Sequence, residues 1–74
     1  MRVYKLEIES SEIQNQQDVM MIETVLANAP GIGEVQVDIA RHVVTVVTAN
    51  QDGGVDVRQR LDAAGFPNKK FLVL

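Results

Sequence analysis

Between residues 34 and 48 the chain reads EVQVDI, then ARH, then VVTVVT. The first segment alternates, with Val35, Val37 and Ile39 on one side and Gln36 and Asp38 on the other, which is the period of a half-buried strand. The last is a β-branched run that favours extended backbone, because branched side chains pack well on a pleated surface. A strand, a short break and a second strand make a hairpin. This hairpin sits in the middle of a short chain, so the remaining segments must be arranged on either side of it.

What flanks the hairpin is similar on both sides. Upstream, RVYKLEIE alternates, with Tyr4, Leu6 and Ile8 opposite Lys5, Glu7 and Glu9. Further on, Val19, Ile22, Leu26 and Ala29 fall on one stripe of a helix, which Pro30 and Gly31 are expected to end. Downstream, ANQDGG is a loop by composition. In VDVRQRLDAAG, Val57, Leu61 and Ala64 share a helical face and Gly65 supplies the stop. KKFLVL is a final strand. The order strand, helix, strand, strand, helix, strand is two β-α-β units joined at the hairpin. Right-handed crossovers place both helices on the same face of one antiparallel sheet. The expected fold is α+β: a ferredoxin-like βαββαβ sandwich with a four-stranded antiparallel sheet and two helices on one face.

The chain has 74 residues, which fits one domain spanning 1–74. The uncovered sheet face is expected to carry Val3, Lys5, Glu7, Gln36, Asp38, Val43, Thr45 and Val47. Its three valines read as scattered surface residues rather than a dimer patch. With no Cys, the protein has neither a disulfide to staple it nor a thiolate to bind metal. A net charge of −3 offers a phosphate backbone no attraction, which argues against nucleic-acid binding. No apolar signal core and no stretch near the ~18 residues of a membrane span is present. A soluble, cytoplasmic protein, a monomer or weak homodimer, is expected.

VMMIETVLANAPGIGEVQVDI followed by VVTVVT and LDAAGF resembles the heavy-metal-associated domain, the family of copper chaperones, mercury carriers and amino-terminal modules of metal-pumping ATPases. The matching residues are Ala29, Pro30, Gly31, Ile32, Val35, Val37, Ile39, Thr45, Val46, Leu61, Ala64, Gly65 and Phe66, over roughly residues 3–70. The family's M-T-C-x-x-C loop would then fall on SSEIQNQQDV, residues 10–19. Counting back from Pro30, its methionine position falls on Ile13, its threonine on Gln14, and its two cysteines on Asn15 and Asp18. The resemblance implies a metal loop without its thiolates.

Asn15 and Asp18 have a purely structural explanation, since Asn is a strong helix N-cap and an acidic residue three positions on completes a variant of the capping box. Ile13 is expected to fill the core site of the family's methionine. Met20 and Met21 point about 100° apart on a helix, so they do not converge on one ion, and at least one is expected in the core. Glu9, Glu12 and Asp18 lack the spacing of a calcium loop. His42 is placed at the hairpin tip, facing solvent and far from the loop. DGG at 52–54 lacks the spacing and Lys of a P-loop, and Asp38, Asp56 and Asp62 read as surface carboxylates.

No catalytic residues and no cofactor are expected. The leading expectation is a non-catalytic module acting through protein contacts, by the 10–18 loop or the open sheet face, with Ile13, Gln16, Gln17 and Phe66 as candidate contact residues. Two alternatives stand beside it. One is weak residual metal binding or transport, and the other is a small-molecule regulatory module like the ACT domains, which share this strand order.

Overall fold

The computed structural model describes residues 3–49 and 54–73. Its elements are β1 (Tyr4–Glu9), α1 (Gln16–Ala27), β2 (Ile32–Asp38), β3 (Val43–Thr48), α2 (Val55–Ala63) and β4 (Lys70–Val73). The four strands form one antiparallel sheet in the order β2-β3-β1-β4. The two central strands are thus β3 and β1, the most buried of the four, and the βαββαβ order read from periodicity is the observed one.

The hairpin register runs from Ile32 opposite Thr48 to Asp38 opposite Val43, with one irregularity between Ile32 and Glu34. Its turn is held from within. The Arg41 N–H donates to Asp38 Oδ1 (3.1 Å) and the His42 N–H to the Ile39 carbonyl (3.2 Å). His42 closes the turn with a φ of 57°. Few residues other than glycine adopt this left-handed conformation, and His is among the enriched exceptions.

Alternation places Leu6 and Ile8 of β1 and Val44 and Val46 of β3 on the helix-covered side. They meet Ile22 and Leu26 of α1 and Val57 and Leu61 of α2 in one core. Tyr4, Val35, Val37 and Phe71 pack at its margin. α1 ends earlier than its apolar stripe, at Ala27, three residues before Pro30. The residue before a proline is disfavoured in the α region, and Pro30 has no N–H to offer the Leu26 carbonyl. That carbonyl accepts instead from the Ala29 N–H (3.1 Å). Ala29 is buried as its spacing requires, but from the turn after the helix.

α2 ends as a Schellman motif. Gly65, with φ 96°, sends its N–H to the Asp62 carbonyl (3.1 Å), and the Phe66 N–H reaches the Leu61 carbonyl (2.9 Å). Phe66 and Leu61, the pair whose apolar contact accompanies this motif, both lie in the core. The Ala-Gly-Phe ending is therefore a helix stop with its own anchor. At the other end of α2, Gly54 is the N-cap, with φ 93°. A Cβ added there would lie 2.3 Å from Leu6 Cδ1. Residues 52 and 53, the rest of DGG, fall outside the described residues.

The uncovered face differs from expectation at Val43. This valine lies across from Glu9 and Asp38 on the side without helices, yet it is only 6% exposed. Arg41, Glu9, Lys70 and Leu72 surround it, and the aliphatic stems of long charged side chains cover apolar surface well. Val3, at 60% exposure, stands in solvent as expected.

Candidate functional site at the start of the first helix

The segment from Ser10 to Asp18 joins β1 to α1, and hydrogen bonds shape each of its steps. The Ser10 N–H donates to the His42 carbonyl (2.9 Å), which fixes the loop's entry against the hairpin tip. The Ile13 N–H returns to the Ser10 carbonyl (3.2 Å). This tight turn drives the Ile13 side chain inward, where it is fully buried in the core. Its aliphatic side chain anchors the loop as the sequence pattern requires.

The helix then starts with a complete capping box. The Asp18 N–H donates to Asn15 Oδ1 (3.1 Å), and the Asn15 N–H donates to Asp18 Oδ2 (3.1 Å). The same carboxylate oxygen also takes the Gln14 N–H (2.9 Å). Two side chains thus satisfy three backbone N–H groups at and just before the helix start. The carboxylate also sits at the positive end of the helix dipole.

His42 lies against this loop and not apart from it. Its Nδ1 hydrogen-bonds the Ile13 carbonyl at 2.5 Å. A carbonyl can only accept, so Nδ1 carries the proton and donates. The expected solvent-facing turn histidine is thus a tie between hairpin and loop. The tie pairs residues 29 positions apart, and sequence spacing gives no hint of such a bond.

The methionines also depart from expectation. Met20 and Met21 are 60% and 52% exposed, so neither fills the core. The core stripe of α1 is centred on Ile22 and Leu26, and both methionines fall on the other side of the helix. Of the candidate contact residues, Gln16 and Gln17 are exposed. Ile13 and Phe66 are corrected: both are buried, Ile13 by the inward loop turn and Phe66 by its Schellman contact, so neither side chain offers surface to a partner.

The oxygens at positions 15 and 18 do not suit a soft metal ion. Copper(I) favours thiolate or thioether sulfur, whereas Asn15 and Asp18 offer oxygens already engaged with backbone N–H groups. The thioethers of Met20 and Met21 diverge along the helix. Among the described residues, no three His, Asp or Glu side chains are grouped so as to hold an ion.

No protein-family model matches the sequence, and no curated protein matches it. Solved structures do. Oxidized MerP from Ralstonia metallidurans CH34 superposes with a TM-score of 0.80 at 12% identity, covering 97% of each chain. The heavy metal binding protein TM0320 from Thermotoga maritima gives 0.80 at 18% identity, over 95% of this chain and 98% of that one. A copper binding domain from HMA7, a P-type ATPase, gives 0.74 at 17% identity, over 96% and 93%. The chain therefore has the ferredoxin-like fold of heavy-metal-associated domains, and it has it without a cysteine. Among its described residues no helix is long and apolar enough to cross a membrane.

Proposed function

We propose that this protein is a non-catalytic module on a metal-carrier scaffold, working through protein contacts and not through metal-thiolate chemistry. One observation carries the reading. Asn15 and Asp18, the residues at the two cysteine positions implied by the resemblance, hydrogen-bond each other's backbone in a reciprocal cap. The loop therefore keeps its shape by these hydrogen bonds together with the buried Ile13, with no bound ion required to hold it. The neighbouring structures include proteins described as heavy metal and copper binding. Their fold supports a carrier-like ancestry for the scaffold, while the donors here favour a partner-binding role for what remains.

The test is a competition titration against a copper(I) chromophore. The natural protein is compared with a variant carrying Asn15→Cys and Asp18→Cys. Helix N-termini lower thiol pKa values, which favours the thiolate form that binds metal. The folded double variant is expected to bind copper(I), and the natural protein to bind it far more weakly. Tight binding by the natural protein, equal to that of the variant, would overturn the proposal and shift attention to Met20 and Met21. A variant that folds but does not bind would show that the loop differs in shape as well as in chemistry.

A further inference from the structure

We infer that the solvent side of α1 is a docking face for a protein surface with an apolar centre and a basic rim. The inference rests on the protein-contact reading above and names where the contact is made. Met20 and Met21 are among the most exposed large apolar side chains of the fold. With Gln17, Thr24 and Val25 they line one shallow groove. On a helix of 100° per residue, Gln17 and Thr24 project between the two methionines, so the four make a continuous strip. The Thr24 hydroxyl donates to the Met20 carbonyl (2.8 Å), which engages the only hydroxyl proton of the strip within its own helix. Methionine is flexible and polarizable, and such side chains suit adaptable contact surfaces.

The strip is bordered by negative charge. Asp18 lies three residues before Met21 and Glu23 three after Met20, which makes each a surface neighbour of its methionine. Glu12 is exposed in the adjoining loop. Every charged residue from Leu6 to Ala40 is a carboxylate. No cation sits in the last turn of α1 to offset the negative end of its dipole.

That sign selects the occupant. A second copy docking face to face through a two-fold axis would set the Asp18 and Glu23 carboxylates of one copy against the carboxylates of the other, and like charges across an interface are costly. Nucleic acid and anionic lipid are repelled for the same reason. A partner protein that presents lysine or arginine around an apolar patch meets both features at once.

The experiment uses the isotope-labelled full chain and a synthetic amphipathic helix with leucine on one face and lysine along its flanks. Saturable binding is expected, with amide shifts concentrated at Gln17, Met20, Met21 and Thr24. Glu23→Lys should weaken it roughly tenfold, since an exposed ion pair becomes a like-charge contact. Glu34→Lys makes the same change in net charge on the helix-free sheet face and should leave affinity within about twofold, as distant exposed charges are screened. Met20→Gln with Met21→Gln should weaken it as much as Glu23→Lys does. Four results would overturn the inference: equal weakening by Glu23→Lys and Glu34→Lys, shifts mapping to the sheet face, equal binding of a helix with glutamate in place of lysine, or a concentration-dependent dimer that hides the strip. None of these alters the copper titration, so a failed docking face is distinguishable from a failed reading of the loop.

Discussion

Gly54→Ala should be among the most damaging single-methyl changes in this protein. Two independent terms act at the site. The backbone there has φ 93°, a left-handed conformation that costs a residue with a Cβ about 1–2 kcal/mol. The new Cβ would also lie 2.3 Å from Leu6 Cδ1, 3.3 Å from Cδ2 and 3.4 Å from Cγ. Leu6 is fully buried, so any shift of its side chain must be made within a close-packed core. Overpacking of this kind typically costs about 1–3 kcal/mol. Alanine returns about 0.4–1 kcal/mol by restricting the unfolded chain. The net loss is then about 1–5 kcal/mol, against a total stability of about 4–11 kcal/mol at this chain length.

Gly65→Ala is the matched control. Its φ is 96°, but nothing lies within 4 Å of the added carbon, so only the backbone term applies and about 1 kcal/mol should be lost. Urea denaturation followed by far-ultraviolet circular dichroism measures both variants, with an unchanged slope marking a change in stability alone. Leu6→Ala removes the atoms that clash, so Gly54→Ala should cost less in that background, a coupling that a double-mutant cycle reads directly. Equal losses at positions 54 and 65, or no coupling to Leu6, would refute the steric account.

Asn15→Ala should lower stability by about 1 kcal/mol through loss of the cap, and an unchanged denaturation midpoint would mean that the helix starts by other means. Phe66→Ala should cost about 3–5 kcal/mol as a buried aromatic, whereas Gln16→Ala on the exposed helix surface should stay within about 0.5 kcal/mol. The melting temperature should not move when EDTA is added, because the capping box holds the loop without a metal. A fall of several degrees would reveal an ion contributing to the fold.

The loop's own contacts set how it behaves. In a domain that closes around an ion, loop order depends on occupancy. Here Ile13 is locked in the core, Asp18 holds two loop N–H groups, and His42 clamps the Ile13 carbonyl. The loop is preorganised, so whatever it contacts meets a surface whose ordering cost has already been met in folding.

Local rules sufficed for much of this protein. Alternation marks β1 and β2, the β-branched run coincides with β3 from Val43 to Thr48, and Gly65 stops α2 where its left-handed backbone allows. The Asn15–Asp18 cap was legible too, because its partners are three residues apart. Interactions within a turn of helix or along a strand are encoded by spacing, and spacing is what a sequence displays. Contacts between distant segments followed other rules. Only the folded chain places His42 against Ile13 and covers Val43 with its charged neighbours on the face without helices. The same holds for the methionines. Their spacing allowed one to point inward, but the core fills with Ile22 and Leu26 before either is needed, and packing turns Met20 and Met21 outward to water.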